Sequence, residues 1–305
     1  MKSLPMLFKH TVFTKRTMLI IYLCSLYLFF WAFISCTEEV DLDWPIEEQK
    51  YVIGCLFCPD NRIEFYAFKT TPILEDSILV VNNLNIVLYE NDSVIWSGNK
   101  SDAGRYSIPI KPKPATKYAV LVSNNQSISI NASDTTPLPV YILSANYVFP
   151  VYEDLYGSKF GQISLSFRDK PDIKNYYEII ILNRDSSIQN TFNVKSPVIT
   201  LDNENDPVSP GSLLFTDELF EGKTLTLNIN VSSYDDPIVV LKNVSRNYYE
   251  YRNSINAHLY NQNTERDDVY NLFKGDPVEL YSNVNNALGI FAGFTQDIKT
   301  CSRKD

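Results

Sequence analysis

From Tyr51 onward the chain is written in short runs in which apolar and polar residues alternate. Tyr51 to Cys58, Arg62 to Phe68, Leu84 to Tyr89, Val94 to Trp96, Arg105 to Ile108, Tyr118 to Val122 and Ser127 to Asn131 all carry this pattern. A period of two sends successive side chains to opposite faces of a strand, so each run is expected to bury one face and wet the other. Between them lie turn-rich pieces: Pro59-Asp60-Asn61, Glu90-Asn91-Asp92, Gly98 to Gly104 and Lys111 to Pro114. About seven short strands with turns at this spacing suit a small antiparallel sandwich. Residues 49–136 therefore read as one immunoglobulin-like β domain.

The stretch Thr135-Thr136-Pro137-Leu138-Pro139 removes backbone donors and stiffens the chain, which marks a domain boundary. A second series follows: Tyr141 to Phe149, Gln162 to Phe167, Tyr176 to Leu182, Val198 to Leu201, Ser212 to Phe215 and Thr224 to Val231. The last has the cleanest alternation in the chain. Near residues 245–263 the period changes, and Tyr248, Tyr251, Ile255 and Leu259 recur at spacings of three and four behind the N-cap candidate Ser245. That pattern predicts one long helix with a single apolar stripe. Residues 137–305 thus read as a second β-sandwich domain carrying one helix, and the fold class is mainly β.

The beginning of the chain obeys other rules. Lys2, Lys9, Lys15 and Arg16 precede an apolar stretch from Thr17 to Ile34, with no acid before Cys36. A positive flank, an apolar run and a small residue describe an export signal, although about 18 apolar residues also reach across a bilayer core. In Phe33-Ile34-Ser35-Cys36 the small residue directly before cysteine resembles the lipobox of bacterial lipoproteins, whose cysteine is acylated and becomes the new N-terminus. Residues 1–35 are then the signal, and the acidic, proline-containing residues 36–48 are a tether. Removing the signal takes away four cations and moves the net charge from −9 to −13. Such a surface repels phosphate backbones, which argues against nucleic acid as a partner.

Candidate chemistry is sparse. Cys55-Leu56-Phe57-Cys58 has redox spacing, but it lies in a predicted strand where residues three apart face opposite ways, and no helix start activates the first thiol. Structural pairing and separate thiols both remain open, and Cys301 is the other cysteine after Cys36. Past the signal there is one histidine, His258, placed beside the helical stripe, so zinc sites and serine–histidine dyads are poorly supplied. Asp202 to Pro207 alternates acids as calcium loops do, yet Pro207 stands where glycine is needed and Leu214 where the closing acid belongs. Asp235-Asp236 and Asp267-Asp268 sit in turn-like surroundings. These residues predict no enzyme, no metal and no cofactor.

Three features together resemble the domain-of-unknown-function family 4249. They are the lipobox-like cysteine followed by acids; Gly104-Arg105-Tyr106-Ser107 with Thr116 to Val120; and the block from Asp276 to Gly293, helped by Tyr248-Tyr249-Glu250-Tyr251. Within that block Ser282, Asn283, Gly289 and Phe291 match the family pattern, while Ala287 stands where the family commonly has glycine. The resemblance implies a Bacteroidota outer-membrane lipoprotein whose first domain is similar to the carboxypeptidase-regulatory-like module. It implies anchoring to outer-membrane lipid through Cys36 and surface export signalled by Glu38 and Glu39. It also implies a TonB-dependent transporter as partner, with the ligand undefined. Asp-Ser/Thr triplets at Ser77, Ser93 and Thr135 resemble that phylum's O-glycosylation sequon. The expected function is a lipid-anchored binding or accessory protein in nutrient uptake; the alternatives are a carboxylate-dependent surface hydrolase and a purely structural envelope lipoprotein.

Overall fold

The computed structural model describes residues 20, 22–27, 48–72, 77–124, 129–189, 192–196, 199, 211–232, 235–262 and 278–303. The chain forms two compact units, Met1–Glu47 and Glu48–Asp305. In the first, residues 22–27 are helical. Among the described residues no helix is long and apolar enough to cross a membrane.

The second unit is mainly β and contains several sheets. Its strands begin with β1 (Tyr51–Phe57), β2 (Ile63–Lys69), β3 (Leu79–Val80), β4 (Asn85–Glu90), β5 (Ser93–Gly98) and β6 (Arg105–Ile108). Next come β7 (Lys117–Ser123), β8 (Ser129–Thr135), β9 (Ile142–Glu153), β10 (Lys159–Arg168), β11 (Tyr176–Leu182) and β12 (Phe192–Lys195). β13 (Ser212–Thr216), β14 (Thr224–Val231), β15 (Ile238–Val244), helix α1 (Arg246–Gln262), β16 (Leu288–Thr300) and β17 (Ser302–Arg303) complete it. A large sheet runs β13-β11-β15-β16-β1-β2-β3, with β6 also on β2; β12-β14-β10-β9-β17 and β5-β4-β7-β8 form two smaller ones.

Alternation decides which sheet face each residue serves. On β11, Tyr177, Ile179 and Ile181 join Leu165, Leu227 and Ile229 of the five-stranded sheet in one core. On β1, Ile53, Cys55 and Phe57 join Leu88, Val120 and Ile130 of the four-stranded sheet in another. Register places Cys55 opposite Phe291, so both cores lie on one face of the large sheet. The opposite face offers Val244, Ile290 and Ala292 to α1 and its Tyr248. The proline-rich stretch after β8 connects the two small sheets, whereas the large sheet draws strands from both sides of it.

β16 is the seam. It pairs parallel with β1 from Val52↔Leu288 to Phe57↔Gly293 and antiparallel with β15 from Val244↔Phe294 to Ile238↔Thr300. Neither β15 nor β16 is among the strands read from alternation. Ile238-Val239-Val240-Leu241 is a continuous apolar run because both faces of β15 are covered. Three further expectations meet a different local structure. Leu259 is 49% exposed, so the apolar stripe of α1 is buried at Tyr248 and opens toward its C-terminus. β1 ends at Phe57, so Cys58 lies just beyond the strand, and it is buried as Cys55 is. Most of Val198 to Leu201 lies outside the described residues, and Ile199 within it is helical.

Candidate functional site

The helix is fixed to the sheet by a charge buried inside a strand. Glu178 lies in the apolar run of β11, on the face toward α1, with its side chain 1% exposed. Its carboxylate accepts from Lys242 Nζ at 2.8 Å, Arg252 Nε at 3.1 Å and the Tyr248 hydroxyl at 2.7 Å. Arg252 also donates to Ser212 Oγ at 3.1 Å. Burial alone raises the Glu178 pKa, but the Lys242 and Arg252 cations outweigh it and hold the carboxyl below the ordinary glutamate range. The same burial, with Glu178 beside it, pushes the Tyr248 phenol well above its usual value. An acid so placed is tolerable only with its lone pairs filled and its charge matched.

A second set of bonds ties four elements together beside the helix. Ser245 caps α1, its Oγ accepting the Tyr248 N–H at 3.1 Å. The Tyr281 hydroxyl donates to Asn247 Oδ1 at 2.6 Å, and Asn247 Nδ2 donates to Asp134 Oδ1 at 3.0 Å. Asp134 Oδ2 in turn accepts the Gly293 N–H at 2.9 Å. The Tyr281 N–H donates to Ser254 Oγ at 2.9 Å, so the strap before β16 is stitched to the helix twice. Burial raises the pKa of Asp134 and of Tyr281.

Between α1, the strap and the starts of β1 and β16 lies a groove of about 970 Å³. Tyr251, Ser254 and Ala257 come from the helix, Lys50 and Val52 from the entry to β1, and Glu279 to Ser282 from the strap. Its walls mix aromatic and aliphatic surface with hydroxyls and charges of both signs. That volume and lining suit a small molecule or a short peptide. Glu250 and Glu279 both line it. His258 sits partly buried on α1 with Nδ1 unpartnered. No group of three or more metal-ligating side chains occurs among the described residues.

Elsewhere two more acids, Asp169 and Asp217, are buried. Asp169 accepts from the Tyr177 hydroxyl, from Gly222 N–H at 2.6 Å and from Asn175 Nδ2 at 3.2 Å. Asp217 accepts the Asn175 N–H at 2.6 Å. Burial raises the Asp217 pKa, and the neighbouring Asp169 adds to it. Both carboxylates are closed off inside the protein and saturated by local donors, so this pair reads as structural.

Of the residues singled out in the sequence, Cys36, Glu38 and Glu39 lie outside the described residues, as do Asp202 to Pro207 and Asp267-Asp268. Ser77, Ser93 and Thr135 are all exposed. Cys55, Cys58 and Cys301 are buried free thiols. Burial raises the Cys55 pKa, and it pushes Cys301 up to about 12, which leaves both unreactive as nucleophiles. Ser282, Asn283, Gly289 and Phe291 come together at the seam, where their work is architectural. Asn283 donates through Nδ2 to the Phe291 carbonyl at 2.8 Å and accepts the Phe291 N–H at 2.9 Å, imitating a paired strand. Ser282 Oγ accepts the Val284 N–H at 3.3 Å. Gly289 has φ +116°, and the left-handed turn ahead of it falls on Asn286 at φ 62° rather than on Ala287.

The fold defines a mainly β protein whose two cores are joined by one late strand, with a groove beside its helix. The chain belongs to the family described as Domain of unknown function (DUF4249), whose model matches residues 37–300. No curated protein matches it.

Proposed function

We propose that the chain is a lipid-anchored outer-membrane protein, displayed on the cell surface, which binds a small ligand or peptide in the α1 groove as an accessory to a TonB-dependent transporter. On this reading acylated Cys36 sits in the lipid, residues 36–48 are the tether, and Glu38 and Glu39 direct export. The strands before Thr136 form the immunoglobulin-like sandwich, and a second sandwich carries α1. The observation that carries the proposal is the groove of about 970 Å³, pre-formed by the hydrogen bonds that Tyr281 and Asn247 make between helix, strap and sheet. The family match beginning at residue 37, directly after Cys36, supports the anchor.

Two measurements test it. Labelled palmitate should enter the wild type and not Cys36→Ala. Titration of the purified chain with panels of oligosaccharides and short peptides should give saturable binding that Tyr251→Ala weakens about tenfold or more, as loss of an aromatic anchor does. Absence of label at Cys36 removes the anchor from the reading, and absence of binding to either panel removes the groove.

A hydrolase reading rests on Glu250 and Glu279 lining one groove. It predicts turnover of a glycan or peptide that Glu250→Gln or Glu279→Gln abolishes. Binding that survives both substitutions with no turnover leaves the accessory role.

A further inference from the structure

The β9–β10 hairpin reaches beyond the sheet that carries it. β14 pairs with β10 only from Gly161 to Arg168, and β17 pairs with β9 only at Asn146 and Tyr147. From Val151 to Phe160 the hairpin is therefore two-stranded, and every residue from Val151 to Lys159 except Asp154 is exposed. Leu155 is 100% exposed and Tyr156 93%, and Val151 and Tyr152 below them are exposed as well. An isolated pair of strands is marginal in water, and exposed apolar side chains at its tip invite an explanation.

This tip is pre-organised. Asp154 Oδ1 accepts the Tyr156 N–H at 2.9 Å and the Ser158 N–H at 2.8 Å. The Asp154 N–H donates to the Ser158 carbonyl at 2.9 Å, and Gly157 takes φ +83° to close the loop. Behind the turn, Tyr152 and Phe160 stack with centroids 4.7 Å apart and planes 4° from parallel. The carboxylate and the ring pair hold the finger in a shape that drives Leu155 and Tyr156 outward.

We infer that this finger is a docking knob for a second protein, one that offers an apolar cleft with a basic rim. Three observations choose that occupant. Glu153 is exposed and Asp154 adjoins it, against the single Lys159, so the approach is acidic within a chain of net charge −9. Insertion into a bilayer calls instead for basic flanks around the apolar tip. Strand addition along β9 is disfavoured because Pro150 interrupts that strand and has no N–H to give. Recognition falls to the side chains of the tip, where a rigid Tyr-Leu pair loses little conformational freedom on burial.

The test is a photo-reactive residue placed at Tyr156 of the full chain in the cells that make it, with a matched probe at exposed Leu219. One protein adduct should form from position 156 and not from 219. Its cross-linked peptide should map to apolar residues flanked by Lys or Arg, and adding Leu155→Ser should cut the yield about tenfold or more. Thermal unfolding of the Leu155→Ser chain should match the parent, which separates a docking loss from a folding loss. Adducts to lipid alone, to a second copy of this chain, to an acidic surface, or to nothing overturn the proposal, as does an unchanged yield with Leu155→Ser.

Discussion

At the scale of single residues, the block that marks the family acts on the backbone. Gly289 sits at φ +116°, where an added Cβ runs into the Ile53 carbonyl on the neighbouring strand. Gly289→Ala therefore combines a strained dihedral with a clash against main chain, and should lower unfolding free energy by about 2–4 kcal/mol. Gly54→Ala is the control: its nearest neighbour would be Tyr66 Cβ at 3.9 Å, and the change should stay within about 1 kcal/mol. Denaturant midpoints at constant slope measure both. Asn283 offers a chemical rather than steric probe, since it satisfies both polar groups of Phe291. Asn283→Ala leaves them partly buried and unpaired, a loss of about 1–3 kcal/mol by the same assay. The thiols give a third readout. Cys55 and Cys301 are buried with raised pKa, so alkylation at neutral pH, followed by intact mass, should label neither until the chain unfolds.

Helix α1 shows how much an element depends on one buried charge. Glu178→Gln removes the anion and leaves Lys242 and Arg252 facing each other under the helix, which should cost about 3–5 kcal/mol. The pH dependence has a definite sign. Glu178 has a folded pKa below its unfolded one, so its contribution is complete above the ordinary glutamate value and is lost as pH falls through the lowered folded value. Glu178→Gln should therefore flatten the acid side of the stability curve in that window, measured by chemical denaturation at stepped pH. Part of this is legible in the chain: Ser245 and Tyr248 fit a capped helix, whereas Glu178, the lone acid inside Tyr-Tyr-Glu-Ile-Ile-Ile-Leu, goes unremarked because that run reads simply as a strand. The partners were not legible, because Lys242 and Arg252 are brought to Glu178 by pairing of β11 with β15 and by helix docking, neither of which leaves a period. β16 was hidden for a related reason. Two glycines and a polar second half blur its alternation, and the block reads as a motif before it reads as a strand. The groove inherits that blindness, since its walls come from residues 50–52, 250–257 and 279–289.

For the whole molecule, the order of the large sheet constrains folding more than the division into two smaller sheets does. β16 is the last long strand in chain order among the described residues, yet it lies in the interior of the sheet, between β1 and β15. Without it, β1 keeps Ile53, Cys55 and Phe57 against the first core but loses Phe291, which packs on Phe57 at 4.7 Å between centroids. On the other side β15 loses its β16 edge along its full length, from Ile238 to Val244, and keeps only its pairing with β11. Each half therefore lacks a strand until β16 is in place, and removing that strand from either exposes apolar surface and unpaired backbone together. Two domains that fold separately would melt in two steps. Here the shared strand couples them, so calorimetry of the Glu48–Asp305 unit should give one transition whose calorimetric and van't Hoff enthalpies agree. Hydrogen exchange gives the sharper version. Amides of β7, in the four-stranded sheet, and of β14, in the five-stranded one, share no hydrogen bond, but they should open with the same free energy and fall by the same amount in Gly289→Ala. A Gly289→Ala chain in which β7 loses protection while β14 keeps it would show that the seam joins the sheets without coupling their stability.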